Sequence, residues 1–465
     1  MKLSKFSRNF WILNSIQMIE RLSYWIVVLQ MPIYIAQKDV DGGLGWTHIE
    51  KGIIYFWWAI VQNLSPLFFG TLADKYGQKR IMFASFFIVI IGFISMGTIS
   101  SFFPFLFSTL LLGLGLGMFK PAIQGAISNE LNSQNSASGW GTYVLLVNLS
   151  VFLAPPIAIY LKGIDWTWLF YGSALIFSLN FLVLLFVKQT RYNLIKNKID
   201  VKNYFKILFQ PQIITFLILI SGFTILYMQF YETLPNYIYD WIDTVAFAKK
   251  YNLPKFLLSD YGNGLSISFE WLYNINTGLI VLFVLPLSII TKKLPIIKTI
   301  SLGMLIASVG LALSGLVFEA SIVILGFVVY TFGEMIVNPK LTEYMSSISE
   351  TDKKSTYLSF LSLSWTIGLA GGGLIGGYLY HHFGDKANLA QRYLNEVLNI
   401  KHNNPATSLE ILTQKTGLSS SDLTHLLADK YNPGTFWIIF ILVGILASLG
   451  MLIYNKVFYK NKLLN

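Results

Sequence analysis

The chain has 465 residues, of which 54% are hydrophobic and only 12% are charged. A soluble domain carries about a quarter of charged residues, so this composition excludes an ordinary soluble protein and predicts a polytopic membrane protein. The net charge of +11 is concentrated in particular loops, which argues against a nucleic-acid partner. The absence of cysteine from the sequence excludes disulfides and thiol chemistry.

Long apolar stretches recur along the whole chain. A helix needs about 20 apolar residues to cross a bilayer, and by this rule we count about twelve spans. An even number places both termini on the same face of the membrane. The predicted spans cover residues 9–36, 49–73, 81–100, 102–128, 139–161, 165–187, 211–240, 267–291, 296–318, 321–345, 355–381 and 433–458.

Basic residues collect on the face that the two termini share. The positive-inside rule makes that face cytoplasmic, which predicts a multi-pass protein of the plasma (bacterial inner) membrane with both termini in the cytoplasm. The basic stretch 188–210 separates two sets of six spans. We therefore predict an N-terminal bundle over 1–187 and a C-terminal bundle over 211–465, as in transporters built from two repeats. The same stretch is also consistent with a plain basic connector or a helix on the inner leaflet.

Two long loops lie on the opposite, outer face. Residues 241–266 show no clear pattern, whereas 382–432 carry Leu389, Leu394 and Leu398 at helical spacing and a helix-start signal at Ser419. We predict that 382–432 is a helical insertion that covers the outer mouth. Its resemblance to a DNA-binding helix-turn-helix conflicts with this topology.

The first span carries polar residues in its middle. Gln17, Glu20, Arg21 and Tyr24 fall on or beside one stripe of a helix. Burying a charge at this depth costs roughly 2.5–3.5 kcal/mol or more, so such charges persist where they face partners or water inside a bundle. The stripe predicts one wall of a polar cavity; the alternative is a charge pair that only joins two helices.

The loop between spans two and three carries the stretch 70–80. Its pattern of Gly70, Asp74, Gly77, Lys79 and Arg80 resembles the inter-helix signature of the major facilitator superfamily. Gly70 would allow close helix contact, Gly77 a tight turn, and Asp74 a helix cap or ion pair that helps to close an inner gate. The alternative is an ordinary capped turn with solvated lysines.

Span four combines alternating glycines with a lysine. Gly113, Gly115 and Gly117 allow another helix to approach closely, and without a preceding strand they do not form a phosphate loop. Lys120 is a cation at membrane depth that needs an anion, for which Glu20 is the obvious candidate. The alternative is a lysine that snorkels to the lipid surface.

Several stretches in chain order resemble the proton-dependent oligopeptide transporter family. The resemblance lies in Glu20–Trp25, Gly115–Ala122, Val147–Pro155, Phe230–Glu232 and Gly333–Pro339, with a looser match at Asn274–Asn276. It implies an all-α integral membrane protein with twelve transmembrane helices in two six-helix bundles. It also implies a transporter rather than an enzyme: a proton-coupled symporter of small peptides or peptide-like solutes, which works by alternating access.

The resemblance also implies roles for individual residues. Glu20, Arg21, Lys120 and Glu232 would couple protons to movement, the first three as a salt-bridge cluster. Glu334 would receive a substrate ammonium. The full implied substrate set is Gln17, Arg21, Tyr24, Lys120, Asn148, Asn276 and Glu334. The coupling ion would be the proton, with no further cofactor and no metal. The partners would be a di- or tripeptide, or a similar amphipathic small molecule, and the lipid bilayer, with the protein acting as a monomer.

Four positions depart from the family pattern. Gln17 replaces an acid, Val28 an arginine, Ala122 an asparagine and Ser150 a glycine. A second hypothesis therefore keeps the fold but changes the cargo to a non-peptide metabolite, drug or siderophore-like compound, with export as one direction. A third is a membrane receptor in which the segment 382–432 binds a partner.

Overall fold

The computed structural model describes residues 6–37, 42–131, 136–188, 201–260, 265–349 and 354–459. Helices dominate because a backbone in lipid must satisfy its hydrogen bonds within one segment. The helices are α1 (Arg8–Val28), α2 (Met31–Ala36), α3 (His48–Tyr76), α4 (Gln78–Thr98), α5 (Phe102–Asn129), α6 (Ser136–Ile164), α7 (Trp166–Leu185), α8 (Val201–Leu208), α9 (Pro211–Met228), α10 (Leu234–Trp241), α11 (Thr244–Lys250), α12 (Phe269–Thr291), α13 (Ile296–Leu316), α14 (Ala320–Ile348), α15 (Lys354–Leu379), α16 (Lys386–Glu396), α17 (Pro405–Thr416), α18 (Ser420–Tyr431) and α19 (Trp437–Tyr454).

Shorter elements complete the described chain. Single π-helical turns cover Gln229–Thr233, Tyr380–Gly384 and Asn455–Tyr459, and a 3-10 turn covers Lys255–Leu257. Strands β1 (Leu258–Asp260) and β2 (Leu265–Ile267) pair antiparallel, with Ser259 opposite Ser266. This hairpin and α11 lie in the loop 241–266, for which the sequence showed no pattern.

Eleven helical stretches of the described chain are long and apolar enough to cross a membrane. Helix α1 has 21 residues and is the twelfth long helix; its hydropathy is lower because it carries Glu20 and Arg21. The chain is therefore the predicted all-α, multi-pass membrane protein with twelve spans. The first span is shorter than predicted, since α1 ends at Val28 and a break at Leu29 and Gln30 precedes α2.

The chain divides into two compact units. The first comprises residues 1–31 and 57–204, and the second comprises 32–56 and 205–465. Each unit therefore holds six of the long helices, with α3 beginning in the second unit and ending in the first. The grouping of residues 32–56 with the C-terminal helices was not predicted. The domain boundaries proposed from the basic stretch 188–210 stay a prediction. Residues 189–200 of this stretch lie outside the described residues.

The alternating glycines of α5 hold the first unit together. A Cβ added to Gly117 would lie 2.6 Å from Ser65 Cβ of α3, and one added to Gly115 would lie 2.7 Å from Val89 Cγ2 of α4. Real Cβ atoms do not approach so closely, so α3 and α4 pack against bare backbone at these points. The close approach predicted for these glycines is confirmed.

Helices α16 to α18 form the segment predicted as helical within 382–432. Asp385, Asn404 and Ser419 cap the three helices by accepting hydrogen bonds from the first backbone N–H groups. The helix start predicted at Ser419 is confirmed. The apolar faces are buried at Leu389, Leu394, Leu412, Leu423 and Leu427.

Candidate functional site

A polar cavity of about 110 Å³ lies in the first unit, among α1, α3, α5 and α6. The polar stripe of α1 forms one wall, as predicted, and two amides of α3 face it. The lining residues are Gln17, Glu20, Arg21, Gln62, Asn63, Leu116, Phe119, Lys120, Tyr143 and Val147.

The carboxylate of Glu20 is fully occupied by its neighbours on α1. The Arg21 guanidinium donates to both carboxylate oxygens, through Nη2 to Oε1 and through Nε to Oε2 at 2.6 Å. Gln17 Nε2 donates to Oε2 at 2.6 Å. Because Glu20 has no exposed surface, this bidentate pair and the amide satisfy a charge that water does not reach.

Lys120 is accessible and lines the same cavity. Within the described part of the chain it has no acidic partner within 4 Å, so the predicted pair with Glu20 is not formed. The reason is geometric: the planar fork of the adjacent Arg21 already holds both oxygens of Glu20. The cavity therefore has one neutralised pair and one accessible ammonium.

Tyr24 and Asn148 lie next to the cavity rather than on its wall. The Arg21 guanidinium lies 4.7 Å from the centre of the Tyr24 ring, and Gln62 Nε2 donates to the Tyr24 hydroxyl at 3.3 Å. Asn148 follows the lining residue Val147, and its Nδ2 donates to the Val144 carbonyl of its own helix at 2.8 Å. Their predicted contacts with a solute stay predictions.

The second unit brings together two predicted residues, Glu334 of α14 and Asn276 of α12. Glu334 is only 4% exposed. Its Oε2 accepts from Asn276 Nδ2 at 3.0 Å, and its Oε1 accepts from Asn338 Nδ2 at 3.4 Å. Asn276 also donates to Thr331 Oγ1 at 3.0 Å. No lysine or arginine of the described chain lies within 4 Å of this carboxylate.

The predicted acid Glu232 has a partner that the sequence analysis did not single out. Lys51 Nζ lies 2.6 Å from Glu232 Oε1, and the two side chains are 0% and 1% exposed. The same ammonium donates to Asn236 Oδ1 at 2.8 Å and to the Glu232 carbonyl at 3.3 Å. Thr233 Oγ1 donates to Glu232 Oε2 at 2.7 Å. The ammonium thus has two hydrogen bonds and one ion pair, and Glu232 Oε1 is held by charge alone, without a hydrogen bond among the described residues.

Local sequence explains where both partners of this pair lie. Thr47 and Glu50 form a capping box, in which Thr47 N donates to Glu50 Oε2 and Glu50 N donates to Thr47 Oγ1, so Lys51 falls in the first turn of α3. Glu232 lies in a π-helical turn that precedes Pro235, and such turns recur at functional sites. A lysine inside the apolar run 49–73 was the signal that could have revealed the pair.

The loop motif closes the turn between α3 and α4. Gly77 has a φ of +95°, which confirms the predicted tight turn. A Cβ on Gly70 would lie 3.7 Å from Pro121 Cβ, an ordinary contact, so the predicted close helix contact does not require glycine there. Lys79 Nζ donates to the Val187 carbonyl at 2.8 Å and Arg80 is exposed.

The side chain of Asp74 lies outside the described residues, so its predicted capping or gating role stays a prediction. Among the residues that the structure describes, no group of three or more histidine, aspartate or glutamate side chains is arranged to hold a metal ion.

The twelve long helices of the described residues, with a polar cavity and a buried ion pair among them, define a polytopic helical membrane protein. The family model of the Major Facilitator Superfamily matches residues 13–373. The chain therefore belongs to this superfamily, as the loop motif predicted.

Curated relatives are distant. The quinolone resistance protein NorA of Staphylococcus aureus (strain MRSA252) is 24% identical over 225 residues, which cover 46% of this chain and 56% of that protein. The matched region thus spans little more than half of the length of NorA. The uncharacterized MFS-type transporter YqjV of Bacillus subtilis (strain 168) is 21% identical over 326 residues, which cover 69% of this chain and 75% of that protein.

Solved structures share the fold. A POT family transporter in complex with 5-aminolevulinic acid has a TM-score of 0.67 at 17% identity, over 96% of both chains. Another POT family transporter, in complex with a thioalcohol conjugated peptide, has a TM-score of 0.70 at 17% identity over 97% of both chains. The nucleoside transporter NupG has a TM-score of 0.68 at 13% identity, over 97% of this chain and 100% of that one. At these identities the likeness establishes the fold alone.

Proposed function

We propose that this transporter is a proton-coupled symporter of small peptides or peptide-like solutes. The observation that carries the proposal is the buried pair of Lys51 and Glu232, 2.6 Å apart. Desolvating two charges is costly, and a buried pair persists only while both charges remain. A proton on Glu232 removes one of them and leaves Lys51 uncompensated, so one proton can change the stability of this contact.

The charges elsewhere support a solute that has both an amine and a carboxylate. Lys120 offers an accessible ammonium in the first unit. Glu334 in the second unit is a buried carboxylate held by amides rather than by a protein cation. Each unit by itself therefore offers a charge that suits one end of a small peptide: an ammonium for its carboxylate in the first unit, and a carboxylate for its amine in the second. The named solutes of two fold neighbours, 5-aminolevulinic acid and a conjugated peptide, are consistent with this choice.

The test is uptake of a radiolabelled dipeptide into proteoliposomes with an imposed pH gradient. We expect uphill accumulation by the parent protein and its loss in Glu232→Gln, with downhill exchange retained, because the variant still binds the solute but has no titrating carboxylate. We also expect Lys120→Ala to weaken accumulation. The matched control is Glu410→Gln, since Glu410 is exposed on α17.

Accumulation that persists undiminished in Glu232→Gln would overturn the coupling scheme. Dipeptide uptake that ignores the pH gradient in the parent protein would overturn symport itself. The same vesicles also test the proposed topology. If both termini lie on the same face of the membrane, added protease will cut both of them or neither of them in a given vesicle.

A second candidate is a transporter of an aromatic, non-peptide solute. Half-buried rings of Tyr227, Tyr231 and Trp365 stand together, with ring centres 4.3 Å and 4.8 Å apart. The Tyr231 hydroxyl donates to Asn276 Oδ1 at 3.4 Å, which joins this aromatic wall to the Glu334 carboxylate. Aromatic faces beside a carboxylate suit an organic cation, and one curated relative is named for quinolone resistance.

Thermal stabilisation distinguishes the two candidates. The unfolding temperatures of the parent protein and of Trp365→Ala are measured with a panel of dipeptides and with a matched panel of aromatic amines. Stabilisation by dipeptides that survives Trp365→Ala supports the first candidate. Stabilisation by aromatic amines alone, lost in this variant, supports the second.

A further inference from the structure

The loop between α10 and α12 carries a cluster of exposed cations. Lys249, Lys250 and Lys255 are all exposed. The only acid in the sequence stretch 243–256 is Asp243, whose carboxylate is engaged as the cap of α11. This loop lies on the face that the sequence analysis predicts as outer, where the positive-inside rule predicts few lysines. Membrane insertion therefore does not explain why the three cations are there.

Hydrogen bonds within this loop hold it in one shape. Asn252 follows the end of α11 with a φ of +47°, and Leu253 N donates back to the Ala248 carbonyl at 3.0 Å, which closes the helix end. Ile267 N of β2 donates to Thr244 Oγ1 of α11 at 3.2 Å. The lysines are thus carried by an ordered turn that packs against the hairpin.

Phe256 packs at the lipid-facing side of α12. Trp271 Nε1, in the first turn of α12, donates to the Phe256 carbonyl at 2.9 Å, and the two rings meet edge-on with centres 5.8 Å apart. At helical spacing Trp271 begins a stripe that continues through Leu282 and Ile289, which are 68% and 74% exposed. Asn276, which contacts Glu334, lies on another side of the helix. Because exposed apolar side chains of a span face lipid, the exposed ring of Phe256 lies where this stripe meets the headgroup layer.

We propose that Lys249, Lys255 and the ring of Phe256 form a docking surface for the headgroup of an acidic phospholipid. The ring anchors the loop at headgroup depth, and the two ammonium groups attract an anionic headgroup there. Lys250 contributes less, because its charge already acts on Glu319, the exposed cap of α14. A soluble acidic partner fits this surface less well, since it would have to displace lipid from the ring. The proposal does not depend on which solute is transported.

The test identifies the lipid that lies beside residue 256. Because the chain has no native cysteine, Phe256→Cys in the full chain takes a single bimane label. The protein is placed in nanodiscs that contain equal amounts of phosphatidylglycerol and phosphatidylcholine. In one set of discs the phosphatidylglycerol carries brominated acyl chains, which quench the label on contact, and in the other set the phosphatidylcholine carries them. The comparison gives the ratio of the two lipids at residue 256 at constant lipid composition.

We expect stronger quenching by phosphatidylglycerol, with a preference of about fivefold for each contributing lysine. Lys249→Gln together with Lys255→Gln should abolish the preference but keep the quenching, because the label still lies in the headgroup layer. Lys250→Gln is the matched control and should keep the preference. A label at Leu282→Cys, further along the same stripe, should be quenched equally by both lipids, because it lies at the depth of the acyl chains.

A label at residue 256 that neither lipid quenches would overturn the docking surface, because the loop would then face water, as a soluble partner requires. Equal quenching by the two lipids would overturn it as well. So would a preference that survives in the variant without Lys249 and Lys255. Because the measurement needs neither solute nor proton gradient, its result is separate from that of the symport proposal.

Discussion

Replacing Lys51 alone should destabilise the protein strongly. Lys51→Met fills a similar volume but leaves the Glu232 carboxylate, which is 1% exposed, without its cation. Removing one partner of a buried pair costs roughly 3–5 kcal/mol. The loss of the bond to Asn236 at 2.8 Å acts in the same direction, so we expect the upper part of this range.

The double variant decides whether the cost comes from an uncompensated charge. Glu232→Gln should also destabilise, because it strands the Lys51 ammonium. Lys51→Met together with Glu232→Gln should recover most of the stability, since replacing a buried pair by neutral groups is often close to neutral. The double-mutant cycle should therefore give a coupling energy between Lys51 and Glu232 of at least about 3 kcal/mol.

The assay is reversible unfolding in mixed detergent micelles, followed by tryptophan fluorescence. A Lys51→Met protein within about 0.5 kcal/mol of the parent, or a double variant no more stable than Lys51→Met, would refute this reasoning.

Two further predictions follow from the packing and from the binding carboxylate. Gly117→Ala should lower the free energy of unfolding by about 1–3 kcal/mol, because the added Cβ would lie 2.6 Å from the Cβ of Ser65. The control is Gly141→Ala, whose Cβ would meet nothing within 4 Å. This variant should be neutral or stabilising in the same unfolding assay. Glu334→Gln should weaken the binding of an amine-bearing solute by about tenfold or more, as measured by calorimetry; unchanged affinity would exclude this carboxylate as the ammonium site.

The sequence predicted the helices well because lipid leaves a backbone few alternatives. Length and hydropathy located the spans, and the polar stripe with Glu20 and Arg21 predicted a cavity that the structure contains. Local rules also succeeded where backbone geometry depends on a single residue. Gly77 adopts the positive φ of a tight turn, and Ser419 begins α18.

Pairings between distant residues were not predictable in the same way. Glu20 and Lys120 have opposite charges and line one cavity, but the fork of Arg21 is already bound to the carboxylate. Lys51 and Glu232 are far apart in the sequence and meet only because the start of α3 belongs to the second unit. A charge pattern shows that partners are needed, whereas the packing of helices decides which partners meet.

The three predicted acids Glu20, Glu232 and Glu334 have different partners, and this difference separates their roles. Glu20 is bound by the arginine next to it, which moves with it on the same helix, so its pair cannot report a movement of one helix past another. Glu232 is bound by a lysine on another helix, so its charge and that contact change together. Glu334 is bound only by amides within the described chain, and amides tolerate a neutral or a charged carboxylate. A cation from a solute can therefore bind Glu334 without breaking an ion pair of the protein, whereas at Glu232 it would first have to displace Lys51.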